Sequence, residues 1–261
     1  MPTPGGFQAR SVAEVVTSGL CIGCGLCEAV TAGRVGMRMT AKGSLRPVPA
    51  DGFTPEEEAT ILSCCPGVAV EARRGNAASD DLIWGSPTQM RHAWAGDALR
   101  RLAGSSGGVL TALGCHLLDQ GRVGFVLHVG AHPEMPMRSL WIRSRTAADV
   151  QRNAGSRYGP VAPLAGLVEA LDAGERFAII AKPCDLSAVH RLSKRDPRVD
   201  ALCVARFALV CGGQSRLGKS EDLLRRFGVE EGELSLFRYR GYGNPGRTRV
   251  ETRDGRAFEV T

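Results

Sequence analysis

No stretch of this 261-residue chain approaches the ~18 consecutive apolar residues that a membrane-spanning helix requires, so no span is expected. The opening MPTPGGFQARSVAEVV lacks an apolar region behind a basic start, and it does not read as a secretory leader. Nine cysteines, unevenly placed, are too few for a stapled extracellular framework, which points to a reducing, cytoplasmic setting. Five histidines occur, none in an HxxH or HxxxH pair with acidic neighbours, so metal-hydrolase chemistry is not indicated. A GxGxxG after a strand is also missing, which removes a Rossmann nucleotide site. Phe and Tyr together number only eleven, and the surplus charge of +6 is scattered apart from a mild concentration between Arg238 and Arg256. Nucleic-acid binding is therefore not expected. The basic surplus suits capture of phosphorylated or carboxylated cofactors and an acidic redox partner, or simply a solvated surface.

What is present is a run of thiols. Cys21, Cys24 and Cys27 form CIGCGLC, and Cys65 stands downstream directly before Pro66. Three thiolates at CxxCxxC spacing can wrap one face of an iron–sulfur cube, and a remote Cys-Pro can close it. Gly23 and Gly25 suit a backbone that turns tightly around such a group. The bacterial ferredoxin run places its next cysteine where Thr31 stands, so the local quartet is incomplete and Cys65 is the better completion than Cys64. Zinc also takes four thiolates and is the competing reading, although zinc knuckles usually pair two separate CxxC turns.

The first eighty residues read as a loop-rich, ferredoxin-like iron–sulfur module (1–80), with RRGNAASDD at 73–81 as its linker to a second domain (81–261). There the pattern becomes α/β. Helices are expected over 107–119, 161–171, 185–192 and 220–227, and strands over 123–129, 176–181 and 207–211, giving a mostly parallel sheet. TRVETRDGRAFEV then predicts a C-terminal hairpin turning at Asp254-Gly255. The chain stops soon afterwards, where a domain boundary is unexpected, and so reads as lacking a C-terminal part.

Three loops could serve a ligand. Gly104-Ser105-Ser106-Gly107-Gly108 opens a helix whose free amides attract phosphate, although a serine cap followed by glycine is also ordinary helix punctuation. Lys182-Pro183-Cys184-Asp185 lies at the carboxyl end of a strand, where ligands of open α/β sheets collect. Beside Lys182 and near a helix start, Cys184 is expected to have a depressed pKa and to be reactive or metal-bound; otherwise it packs while Asp185 caps the helix. Gly155-Ser156-Arg157-Tyr158-Gly159-Pro160 is rich in groups able to hydrogen-bond a polar heterocycle. Cys115 reads as core, and Cys64, Cys203 and Cys211 carry no assigned role.

CIGCGLC with the later CCPG, SSGGVLTALGCHLLDQGRV, GSRYGPV, AKPCDLSAVHRL, LVCGG and FRYRGYGNPG occur here in one order. In that order the chain resembles the beta subunit family of coenzyme F420 hydrogenase and dehydrogenase, which includes formate dehydrogenase beta subunits and 7-hydroxymethyl chlorophyll a reductase. The resemblance implies an iron–sulfur flavoprotein oxidoreductase with a 4Fe-4S cluster and FAD in the α/β domain, acting with coenzyme F420 or a ferredoxin-type partner and possibly a companion oxidoreductase subunit. It implies a flavin pocket lined by Ser105, Ser106, Gly107, Gly108, Ser156, Tyr158, Lys182, Pro183 and Cys184, with Lys182 and Cys184 nearest the chemistry and Lys182 stabilising an anionic reduced flavin. Members of that family continue beyond FRYRG into a further cysteine-rich stretch serving a second cluster, so a single cluster is expected here. A non-catalytic electron-transfer or redox-sensing subunit is the alternative function.

Overall fold

In the computed structural model, residues 9–71, 87–243 and 246–260 are described. The linker expected at 73–81 lies outside them.

The N-terminal part contains α1 (Val12–Thr17), α2 (Leu26–Val30), the antiparallel pair β1 (Val35–Met39) and β2 (Leu45–Pro49), and α3 (Pro55–Cys64). Local chemistry sets these bounds. Thr54 and Glu57 form a reciprocal capping box at the start of α3 with Pro55 at its first position, and Pro66 follows its end. The part lacks a core of its own. Cys24, Leu26, Ala29 and Cys64 share one buried cluster with Phe125, Leu164, Phe177 and Ala188 of the α/β part.

That α/β part begins with α4 (Ala98–Ala103), α5 (Val109–Asp119), β3 (Phe125–Ala131), β4 (Ser139–Ser144), α6 (Ala147–Arg152) and α7 (Leu167–Asp172). It continues through β5 (Phe177–Ala181), α8 (Pro183–Ser193), α9 (Arg198–Leu202), β6 (Cys203–Ala208) and α10 (Leu217–Phe227). The sheet order is β4-β3-β5-β6. β5 pairs in parallel with β3 and β6, whereas β4 returns antiparallel to β3, so the expected parallel sheet carries an antiparallel edge. The remaining strands, β7 (Leu234–Arg238), β8 (Thr248–Thr252) and β9 (Ala257–Val260), form a separate antiparallel sheet. Its β8–β9 pair is the hairpin expected at Asp254-Gly255, to which β7 adds a third strand.

Two expected boundaries move. The helix expected over 161–171 is confined to α7, because residues 163–166 form turns that carry the docking contacts described below. The strand expected over 207–211 is β6, which starts at Cys203 and ends before Leu209. Beyond it Val210 and Cys211 are exposed, since an apolar run past the last ladder partner has nothing to pack against.

Candidate functional site

The CIGCGLC loop owes its shape to its glycines. Gly23 has φ +70° and Gly25 φ +85°, a region costly for L-residues. A Cβ on Gly25 would stand 2.7 Å from Ala162 Cβ and 2.9 Å from Ala165 N, so only glycine lets the loop press against residues 162–165. There Leu164 N–H donates to Cys24 O at 2.8 Å. Cys27 sits in the first turn of α2, whose end is closed by Thr31: its hydroxyl donates to Cys27 O at 2.7 Å and accepts from Val35 N–H at 3.2 Å. The position where a ferredoxin run places a cysteine is thus occupied here by a helix stop.

The tandem cysteines diverge. Cys64 ends α3, has no exposed surface and belongs to the core. Cys65 leaves the helix with extended backbone, its carbonyl accepts from Val68 and Ala69 N–H, and its thiol is coupled electrostatically to Cys21 and Cys27. Burial first, and the neighbouring thiols after it, push Cys27 up to about 12 and hold Cys24 well above the ordinary thiol value. Cys65 is raised by the same leading cause. Such a packed set stays protonated unless a cationic centre binds it. Among the described residues no three Cys, His, Asp or Glu side chains converge to hold one metal ion. The four thiols are neighbours around a loop, not ligands gathered on a point.

At the end of β5, Lys182 caps α8 and Pro183 opens it. Asp185 is fully buried; its Oδ2 accepts from Lys182 N–H at 3.1 Å and pairs with Lys182 Nζ at 2.8 Å, while its Oδ1 is buried without a hydrogen bond. Burial pushes the Asp185 carboxyl up against the pull of Lys182. The expected depression of the Cys184 pKa is not found. Desolvation and the Asp185 charge raise it and outweigh Lys182, which is occupied by Asp185.

Lys182 and Cys184 line a cavity of about 360 Å³ whose opposite wall includes Cys21. Arg46 from β2, with Cys211, Gln214 and Arg216 before α10, completes the lining used here. Gly43 O accepts from Leu217 N–H at 2.9 Å, tying the β1–β2 turn to the start of α10 and bringing Arg46 and Arg216 to one cavity.

The other expected ligand loops are gathered elsewhere. Ser105 Oγ donates to Arg240 O at 2.8 Å and accepts from Ser156 N–H at 2.6 Å, which joins two of the loops but uses the hydroxyl structurally. Ser106 is exposed. Gly107 lies against Ala93 and Trp94, and Gly108, not a serine, caps α5, with φ +69°. Pro183 is exposed at the turn, and Tyr158 O accepts from Ser215 N–H at 2.8 Å, which links the Ser156 loop to the cavity wall. Sequence reasoning passed over Arg157. Its side chain donates to Ser139 Oγ and to the carbonyls of Pro136, Met137, Arg138 and Phe237, and lies over the Tyr239 ring. Arg191 and Thr31 were passed over as well, because carbonyl-directed contacts leave no motif in a sequence.

Residues 90–169 match the family model for the N-terminal part of the coenzyme F420 hydrogenase/dehydrogenase beta subunit, and residues 174–261 match that for its C terminus. The chain belongs to that family. A similar fold occurs in a chain of the F420-reducing [NiFe] hydrogenase complex from Methanosarcina barkeri, solved in a xenon-derivatised form, at 18% identity and a TM-score of 0.51. The match covers 64% of this family member and 58% of that chain. Both family-model matches begin after Cys65, so for the cysteine loop this beta-subunit relative offers the evidence of its own residues. Among its described residues no helix is long and apolar enough to cross a membrane.

Proposed function

We propose that this chain is an iron–sulfur flavoprotein oxidoreductase subunit, with a 4Fe-4S cluster held by Cys21, Cys24, Cys27 and Cys65 and an FAD ring in the cavity between Cys21 and the Lys182–Cys184 turn. The observation that carries the reading is that shared cavity: one wall is the cysteine loop and the other the strand-end turn. Mutual electrostatic coupling of the four thiols supports them as one ligand set, and their wide arrangement suits ligands on separate irons better than on a single zinc ion. When bound, a flavin exchanges a hydride with a carrier such as coenzyme F420 while a cube moves one electron at a time, so together they convert between the two currencies.

The protein's part is positional and electrostatic. Lys182, fixed by buried Asp185, presents a cation to the cavity, where it favours an anionic ligand. Burial of Cys24 keeps water from one side of the loop. A flavin longer than its ring would run along residues 156–161 towards Ser105, Ser106, Gly107 and Gly108, since Ser156 touches Ser105 and Pro160 lines the cavity. Nine free cysteines support a reducing, cytoplasmic location, and the oligomeric neighbour makes a companion subunit part of the proposal.

Anaerobic purification with assay of iron, acid-labile sulfide and flavin tests the reading. Four irons, matching sulfide and one FAD per chain are expected. Iron without flavin would favour an electron-relay or sensing subunit, and zinc without sulfide would sink both.

A further inference from the structure

Helix α8 carries more than the Lys182 turn. Ser187 and Arg191, four residues apart, share one face of it. Both hold the chain around Cys65. Ser187 Oγ accepts from Glu71 N–H at 2.7 Å, and the Arg191 guanidinium donates to Ser63 O at 2.9 Å, Cys65 O at 3.3 Å and Ala69 O at 2.6 Å. The Arg191 side chain is only 10% exposed. Its sole printed carboxylate neighbour, Glu71, stands 3.8 Å away and also pairs with Lys194. A largely buried cation therefore straddles the Cys65 turn, gripped by carbonyls before and after it.

From this geometry we infer that Arg191 is a positioning residue for the cluster: from α8 it fixes the Cys65 turn relative to the cavity and sets a permanent positive charge beside the cluster, holding its reduction potential up. The inference rests on the reading of Cys65 as a ligand. Its physical basis is that the reduced cluster carries one more negative charge than the oxidised cluster, and a nearby guanidinium in a water-poor setting favours that form. Position and charge are joined, because the same three hydrogen bonds that shape the turn hold the charge in place. The span along α8 from Pro183 to Arg191 is about 12 Å at 1.5 Å per residue, so the helix acts as a ruler between cavity and cluster.

The test is an anaerobic redox titration of wild type, Arg191→Gln and Arg191→Lys, in which dithionite supplies one electron to the oxidised cluster. Cluster reduction is followed by electron paramagnetic resonance, with iron, sulfide and flavin assayed alongside. Arg191→Gln should keep its iron and flavin and show a lower cluster potential, while Arg191→Lys should lie nearer wild type. Full iron in Arg191→Gln at the wild-type potential overturns the inference and leaves the ligand assignment standing. Equal falls in both variants overturn the charge effect. Should Arg191→Gln lose its iron, Arg191→Lys decides: retention at the wild-type potential supports the role, and loss overturns it in favour of packing alone. A wild-type protein without iron–sulfur overturns the underlying reading itself.

Discussion

Cys64 and Cys65 are neighbours with opposite fates. One closes α3 inside the core, and the other faces Cys21 and Cys27 across the loop. Cys65→Ser should therefore abolish bound iron in the purified protein. Cys64→Ser should retain most of it at a stability cost of roughly 1–3 kcal/mol for burying an unpartnered hydroxyl; the reverse pattern of iron contents would refute the choice of ligand. His128 makes a second residue-level prediction. Burial pushes its imidazole from 6.5 down to about 4, with Nε2 2.8 Å from Ser144 Oγ. The unfolded chain then takes up a proton that the folded chain refuses, so stability is intact above pH 6.5 and is lost as pH falls from there towards 4. Urea unfolding at a series of pH values should show this loss, and His128→Gln should flatten that part of the profile. The Cys-Pro, the CxxCxxC run and the Asp254-Gly255 turn were legible as residues because each has a local meaning. Arg157 and Arg191 were not, since their partners are carbonyls far away in sequence.

Elements were legible where periodicity and punctuation agreed. α5, α8 and α10 carry apolar spacing between caps, and β3 and β5 are short apolar runs that end up buried. β4 and β7 gave no such signal: most of β4 is half-buried, and both are recruited by pairing with a distant partner. The α2 loop is the element whose geometry leaves least latitude. Gly25→Ala places a Cβ at φ +85° and into Ala162, so a loss of about 1–2 kcal/mol from backbone strain is expected before any clash is counted. Chemical unfolding would register that loss, and a variant as stable as wild type would contradict the docked loop.

At the scale of the whole molecule, the C-terminal sheet hangs on the α/β part through Arg157, which bonds carbonyls before β4 and at Phe237 in β7. Arg157→Ala removes these together and leaves buried carbonyls unpartnered, with an expected loss of about 3 kcal/mol. Differential scanning calorimetry should show the C-terminal sheet melting first in this variant, whereas one unchanged transition would argue against the coupling. Leu164 N–H bonded to Cys24 O, with Gly25 against Ala162, bears also on biogenesis. During synthesis the thiols emerge well before the residues that shape their loop, so the nascent N-terminal stretch leaves the ribosome with reactive sulfurs and no finished cradle. Iron delivery is then a late event in the life of the chain, timed by completion of the domain that follows.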